Sequence, residues 1–333
     1  MRDYKMNGFP VGILGTGMYA PERRLTNQEL ETMVETSDEW IVSRTGIRER
    51  RIAAPEQATS DLAYEASLKA LAAAGISADQ LDLIIVATIT PDMFFPSTAC
   101  ILQEKLGAKK AAAFDLSAAC SGFIYGLANA AGFIATGAYQ YALVVGADCL
   151  SRITDYTDRN TCILFGDGAG AAVLGRVPEG RGFRSFELGA DGSGGELLNI
   201  RGGGSRLPAS EKTIAERNHY IYMNGREVFK FAVRVMGNAA EEALRKAGLG
   251  KEDIDLLVPH QANIRIIQSA LERLNLPEDK CLINVDRYGN MSAASIPVAL
   301  AEAVEEGRVR EGDRLVLVGF GGGLTWGASV LVW

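Results

Sequence analysis

Cys120 stands where a strand-like run, residues 111–116, gives way through Ser117-Ala-Ala to an apolar helical run, residues 123–134. A thiol there meets unpaired backbone N–H groups and about half a positive charge, which favour the thiolate and hence a nucleophile. The same residues also suit a buried cysteine that only packs. His260 lies in Pro259-His260-Gln-Ala-Asn263, into which the strand-like run 255–258 leads directly, at the kind of strand end where open sheets place ligands. A lone histidine is more often structural. Near the C-terminus, Val318-Gly-Phe-Gly-Gly-Gly-Leu-Thr-Trp-Gly327 offers backbone N–H groups. With the N–H of Cys120 they would form an oxyanion hole for a thioester carbonyl, although a glycine turn needed for packing fits the same residues.

The elements that must position these groups follow from the patterning. Phe123, Ile124, Leu127, Ala128, Ala131, Phe133 and Ile134 cover most of a helical wheel, marking a core helix. Strands are expected over 11–19, 81–88 and 141–146, and helices over 60–74 and 296–305. Thr26-Asn-Gln-Glu29 matches a capping box opening a helix through Val34. Residues 36–51 combine Trp40 with Arg44, Arg48, Arg50 and Arg51, a cluster suited to a ring-bearing phosphate ligand or to a solvated, ion-paired surface. Phe165-Gly-Asp-Gly-Ala-Gly reads as a tight turn feeding a strand rather than a phosphate cradle. The Gly- and Ser-rich segment 191–212 reads as a mobile surface loop without an assigned role.

The two halves of the chain repeat each other. Ala70-Leu71, Ala74-Gly75 and Leu81-Asp82-Leu83-Ile84-Ile85 align without a gap, at a shift of 173, onto Ala243-Leu244, Ala247-Gly248 and Ile254-Asp255-Leu256-Leu257-Val258. The same shift carries the Cys120 turn onto Val285-Asp-Arg-Tyr-Gly-Asn290-Met-Ser-Ala-Ala-Ser295, a second junction leading into a helix. Under a pseudo-twofold relation Cys120, His260 and Asn290 would sit on loops at equivalent strand ends and converge. The expected division is a lead-in over 1–10, an N-terminal half over 11–180 and a C-terminal half over 181–333.

Bulk properties exclude several classes. The 333-residue chain carries a net charge of −7, against the basic balance expected of a nucleic-acid protein. Five cysteines without a C-x-x-C pair, and only His219 and His260, argue against a disulfide framework and against zinc, and point to a reducing, cytoplasmic setting. The longest apolar runs are far short of a membrane span.

Ser117-Ala-Ala-Cys120-Ser-Gly-Phe, Pro259-His260-Gln-Ala-Asn263, Tyr288-Gly-Asn290-Met-Ser-Ala-Ala-Ser295-Ile-Pro and Gly319-Phe-Gly-Gly-Gly-Leu-Thr-Trp-Gly327 resemble the signatures of β-ketoacyl-acyl-carrier-protein synthase III. Residues 36–50 and 165–170 belong to the same pattern. The resemblance implies an α/β, thiolase-like fold: two duplicated α/β halves in a five-layered α-β-α-β-α arrangement, as a homodimer. It implies decarboxylative condensation of a short acyl-CoA with malonyl-acyl-carrier protein, with the coenzyme A thioester as substrate and no resident cofactor or metal. By resemblance Cys120 is the nucleophile, and His260 and Asn290 stabilise the enolate. Cys120 and Gly322 supply the oxyanion hole. Trp40 and Arg159 flank adenine, Arg44 lies near the phosphates, and Gly225 and Asn263 line the pantetheine channel. Phe95, in Phe94-Phe95-Pro96, closes the acyl pocket, often across the dimer interface, and its bulk implies a short primer such as acetyl. Lys230, Arg265 and Arg273 would dock the acidic carrier protein. A specialised ketosynthase or acyltransferase of natural-product assembly, and a non-catalytic coenzyme A or carrier-protein binding module, remain as alternatives.

Overall fold

The computed structural model describes residues 8–333. Most of the expected lead-in therefore lies outside the described residues. At its end Phe9 is tied down, its N–H donating to Ala135 O at 3.0 Å.

Two sheets carry the molecule. In the first half the strands are β1 (Val11–Tyr19), β2 (Leu83–Ala87), β3 (Ala112–Leu116), β4 (Ala142–Cys149) and β5 (Asp167–Arg176), in spatial order β1-β5-β4-β2-β3. In the second half they are β6 (Gly182–Ala190), β7 (Leu256–Pro259), β8 (Arg314–Gly321) and β9 (Thr325–Val332), in order β7-β8-β9-β6. The β2–β4 and β7–β8 pairs are parallel, and the others shared by the two sheets are antiparallel. Read from opposite ends, the two orders are the same, except that the second sheet lacks a counterpart of β3. Residues 285–288, where that strand would fall, form a helical turn instead.

Helices complete the layers. Those used below are α1 (Thr59–Ala74), α2 (Gly122–Ala135), α3 (Gly225–Ala247), α4 (Ile264–Leu274) and α5 (Ser295–Glu305). α2 and α5 lie between the sheets and touch both, α1 covers the outer face of the first sheet, and α3 covers that of the second. The result is the five-layered α-β-α-β-α arrangement. The core follows this layering: Phe123, Ile124, Leu127 and Ile134 of α2 pack between the sheets with Ile296 and Leu300 of α5. Burial of such side chains on both sides is what holds the two sheets together, each contributing about 1.5–3 kcal/mol.

The 173-residue register holds from the end of α1 to β4 and from the end of α3 to β8, while β5 and β9 fall outside it. α1 and α3 both end at residues 173 apart and are capped by Gly75 and Gly248, each in left-handed geometry. The short 3-10 turn 119–121 before α2 has its counterpart at 292–294 before α5. Two local expectations differ from the structure. β3, whose short apolar run 111–116 reads as a buried strand, is instead an open edge strand with Phe114 37% exposed, because no strand among the described residues lies beyond it. The helix begun by Thr26 spans only Asn27–Glu31; Thr26 caps it, but Glu29 bonds Arg23 rather than completing a reciprocal box.

Candidate active site

Cys120 enters the site from the N-terminal end of α2, in a turn whose preceding residue, Ala119, has φ of +46°. The turn can sit against β8 only because residue 321 is glycine: a Cβ there would lie 2.5 Å from Cys120 N. The thiol is buried, and burial pushes its pKa up to about 12. The Ser292 hydroxyl opposes that rise and the Asp148 carboxylate adds to it. The expected thiolate preference at the helix start is therefore outweighed by desolvation.

His260 directly follows β7, and its N–H donates to Val318 O at 2.8 Å. Its ring meets Phe320 edge-on, and neither ring nitrogen has a hydrogen-bond partner among the described residues. Burial lowers its pKa to about 3, so the imidazole is neutral at physiological pH.

Asn290 is held by main chain on both sides: its N–H donates to Leu164 O (2.9 Å), and Gly166 N–H donates to its carbonyl (3.0 Å). Ser292 N–H donates to Asn290 Oδ1 at 2.8 Å. With Oδ1 engaged, the Nδ2 group is the free end of the amide. The Phe165-Gly-Asp-Gly-Ala-Gly run thus has a structural purpose. It lies largely within β5, and at Gly168 a Cβ would come 2.5 Å from Met291 Sδ, so glycine lets the Asn290 segment pack directly on the strand.

These groups converge. Cys120, His260 and Asn290 line one narrow cavity of about 100 Å³ together with Gly225, Asn263 and Phe320. Cys120 also lines a wider apolar cavity of about 380 Å³, walled by Ile89, Leu150, Phe165, Leu198, Ile200 and Ile221, with Gly322 and Ser292 at its Cys120 end. The thiol stands at the junction of a channel and a pocket. A buried nucleophile beside backbone N–H groups and two neutral side-chain donors can take an acyl group and stabilise a developing oxyanion or enolate.

Residues expected to hold coenzyme A are placed less uniformly. The Arg159 guanidinium lies 5.1 Å from the Trp40 ring centroid, and Arg159 also donates to Glu35 O. Arg44 is exposed, and its carbonyl accepts from Asn263 Nδ2 at 2.9 Å. Asn263 Oδ1 caps α4 through Arg265 N, so both polar ends of that side chain are already engaged. Arg50 is fully buried, bonding Leu25 O, Asn27 Oδ1 and Ile163 O; it braces the hairpin 23–52 and is no surface ligand. Of the basic residues assigned to carrier docking, Lys230 is paired with Glu227 and Arg273 with Glu241, while Arg265 lies over the Phe229 ring. Arg226 and Arg234, exposed on α3 four residues either side of Lys230, extend that row.

Phe95 lines neither of these cavities within its own chain and is 83% exposed. One expectation changes. The 191–212 segment is more than a surface loop, because its Leu198, Asn199 and Ile200 form part of the apolar pocket wall.

Two family models match, 3-oxoacyl-[acyl-carrier-protein] synthase III over residues 114–192 and the C-terminal part of 3-oxoacyl-[acyl-carrier-protein] synthase III over residues 244–333. Beta-ketoacyl-[acyl-carrier-protein] synthase III of Desulfitobacterium hafniense (strain DSM 10664 / DCB-2) is 62% identical over 323 residues, 97% of this chain and 98% of that protein. The chain belongs to the β-ketoacyl-acyl-carrier-protein synthase III family. The solved synthase III of Thermus thermophilus is 56% identical with a TM-score of 0.91, covering 97% of this chain and 99% of that one. The priming β-ketosynthase of the R1128 polyketide pathway is 37% identical with a TM-score of 0.91, covering 98% of this chain and 97% of that one. Sequence pattern alone does not single out Asp148 and Ser292, which stand beside Cys120, or the pocket wall from residues 198–221. A charged residue inside the apolar run Val144-Val145-Gly146-Ala147-Asp148 was the one signal available for the first of these.

Proposed function

We propose that the chain catalyses the first condensation of fatty-acid synthesis, joining a short acyl group from acyl-CoA to malonyl-acyl-carrier protein with loss of carbon dioxide. The observation that carries this reading is the convergence of Cys120, His260 and Asn290 on one channel that opens beside an apolar pocket.

In the first half-reaction the Cys120 sulfur attacks the acyl-CoA carbonyl, and the N–H groups of Cys120 and Gly322 receive the oxyanion. Coenzyme A leaves as its thiol, taking up the proton that Cys120 gives up, and the acyl chain lies in the apolar pocket. In the second, malonyl thioester enters by the same channel past Gly225 and Asn263. Neutral His260 and the Nδ2 of Asn290 donate to its thioester oxygen, so that charge is stabilised only as carbon dioxide departs. The carbanion then attacks the acyl-Cys120 carbonyl, and Cys120 leaves as the new carbon–carbon bond forms. Trp40 and Arg159 flank the adenine and Arg44 meets the phosphates.

A second copy of the chain is part of this reading. Phe94 and Phe95 are 84% and 83% exposed, and β3 offers an open sheet edge close by in sequence, so a homodimer would cover both. Phe95 of one protomer would then close the acyl pocket of the other. Docking of the acidic carrier protein uses Arg265, with Lys230 and Arg273 released from their ion pairs.

With the bulk of Phe95 closing it, the pocket favours a short primer such as acetyl. A priming ketosynthase of polyketide assembly is the second reading, supported by the 37% identity to the R1128 enzyme. Product analysis with a panel of acyl-CoA primers and malonyl-carrier protein tests the proposal. It expects β-ketoacyl-carrier protein and stoichiometric carbon dioxide; acyl transfer without carbon dioxide release contradicts it.

A further inference from the structure

One fully buried ionisable group beside the site has no part in the chemistry described above. Asp148, in β4, bonds with both carboxylate oxygens and has no cation among its partners. Its Oδ1 accepts from Thr88 Oγ1 (2.9 Å), Ile89 N (2.8 Å), Thr90 N (3.2 Å) and Thr90 Oγ1 (3.0 Å). Its Oδ2 accepts from Ala293 N at 3.2 Å. Burial raises the pKa of both Asp148 and Cys120, and the Ser292 hydroxyl, buried and without a hydrogen bond of ordinary geometry, lies close enough to both to oppose that rise.

The duplication explains why a carboxylate sits there. At the shift of 173, Cys120 corresponds to Ala293 and Asp148 to Gly321. The two turns share their backbone form: Ala119 has φ of +46° and its counterpart Ser292 has φ of +49°. In the first turn the N–H of Cys120 faces Gly321, and the missing side chain leaves that N–H open to a substrate oxygen. In the second turn the equivalent N–H, that of Ala293, faces a carboxylate oxygen of the protein itself.

We propose that Asp148 is a positioning residue whose carboxylate permanently fills the oxyanion position of the second turn and so fixes the segment that aims the Asn290 amide. The link is short. Ala293 is held by Asp148, and its neighbour Ser292 donates its own N–H to Asn290 Oδ1 at 2.8 Å, turning Nδ2 toward the channel. The reverse assignment, activation of Cys120, has the wrong sign, since the negative charge of Asp148 disfavours the thiolate. A carboxylate buried without a cation is an expensive way to fill space, which favours a role that needs its second oxygen.

The inference rests on Asn290 being the donor to the malonyl thioester oxygen, and the test separates the two. Asp148→Asn keeps an acceptor for Thr88, Ile89 and Thr90 but sets an NH₂ group against Ala293 N–H. Release of carbon dioxide from malonyl-carrier protein in the absence of primer is expected to fall about a hundredfold in this variant, as for misplacement by about 1 Å. Acylation of Cys120 by acyl-CoA should stay within about threefold of wild type, a split that general loss of structure would not produce. Unchanged decarboxylation, or equal loss of both steps, overturns the positioning role. Asn290→Ala is run alongside: if it still decarboxylates at the wild-type rate, the reading of Asn290 falls and the inference with it. Should Asp148→Asn not fold, hydrogen exchange of the wild-type Ala293 amide decides. Slow exchange is expected of an N–H bonded to a buried carboxylate, and exchange as fast as an open loop overturns the proposal.

Discussion

Phe320 stands edge-on to His260, with ring centroids 5.6 Å apart at 73°, and no hydrogen bond from the described residues competes for either imidazole nitrogen. The ring is thereby oriented by packing alone and is left free for a substrate oxygen. Phe320→Ala should preserve acylation of Cys120 and lower malonyl decarboxylation by about tenfold, since removing the aromatic wall frees the imidazole to rotate. Separate assays of the two half-reactions check this.

The burial of His260 makes a statement about pH. Its folded pKa, about 3, lies below the ordinary value of 6.5, so between those values the unfolded chain binds more protons. Its contribution to stability is therefore fully present above about pH 6.5 and is lost as the pH falls toward about 3. Thermal melting of the wild type should drop through this window more steeply than that of His260→Ala, and parallel curves would contradict the neutral, desolvated imidazole. For the same reason no loss of decarboxylation should arise from His260 between pH 8 and pH 5.

Gly321 is where a single methyl group should do most harm to the chemistry. A Cβ there would meet Cys120 N at 2.5 Å and Ala119 Cβ at 2.9 Å, both rigidly held. Gly321→Ala should lower Cys120 acylation by about a hundredfold, the scale of losing one oxyanion donor. Acylation kinetics by intact-protein mass spectrometry would show it.

The proposed adenine site, Trp40 with Arg159, gives a test that separates nucleotide recognition from chemistry. Trp40→Ala should raise the acyl-CoA concentration needed for acylation by about tenfold, in line with the loss of stacking and cation–π contact. Acylation by a short thioester that lacks the nucleotide should be unaffected. An equal effect on both donors would remove Trp40 from the adenine site.

Much of this architecture was legible in the chain. The repeat at a shift of 173 placed the Asn290 turn opposite the Cys120 turn, and the structure keeps that register down to the capping glycines Gly75 and Gly248. Local pattern could not separate an edge strand from a buried one, because Ala112–Leu116 is apolar enough for either and its exposure depends on what lies beside it. Nor could it weigh burial against the helix start at Cys120, since desolvation is set by both halves of the chain. Arg50 shows the same limit: among four nearby arginines only tertiary contacts decide that this one faces inward. Leu198 and Ile221 are far from Cys120 in sequence, and no spacing rule ties them to its pocket.

The central claim is that Cys120 carries the acyl group between the two substrates, and intact-protein mass spectrometry tests it most directly. Incubation with acyl-CoA should add one acyl mass to the wild type and none to Cys120→Ala, and malonyl-carrier protein should then discharge the adduct as a β-ketoacyl product. An adduct that forms on Cys120→Ala, or that survives malonyl-carrier protein unchanged on the wild type, would contradict the account.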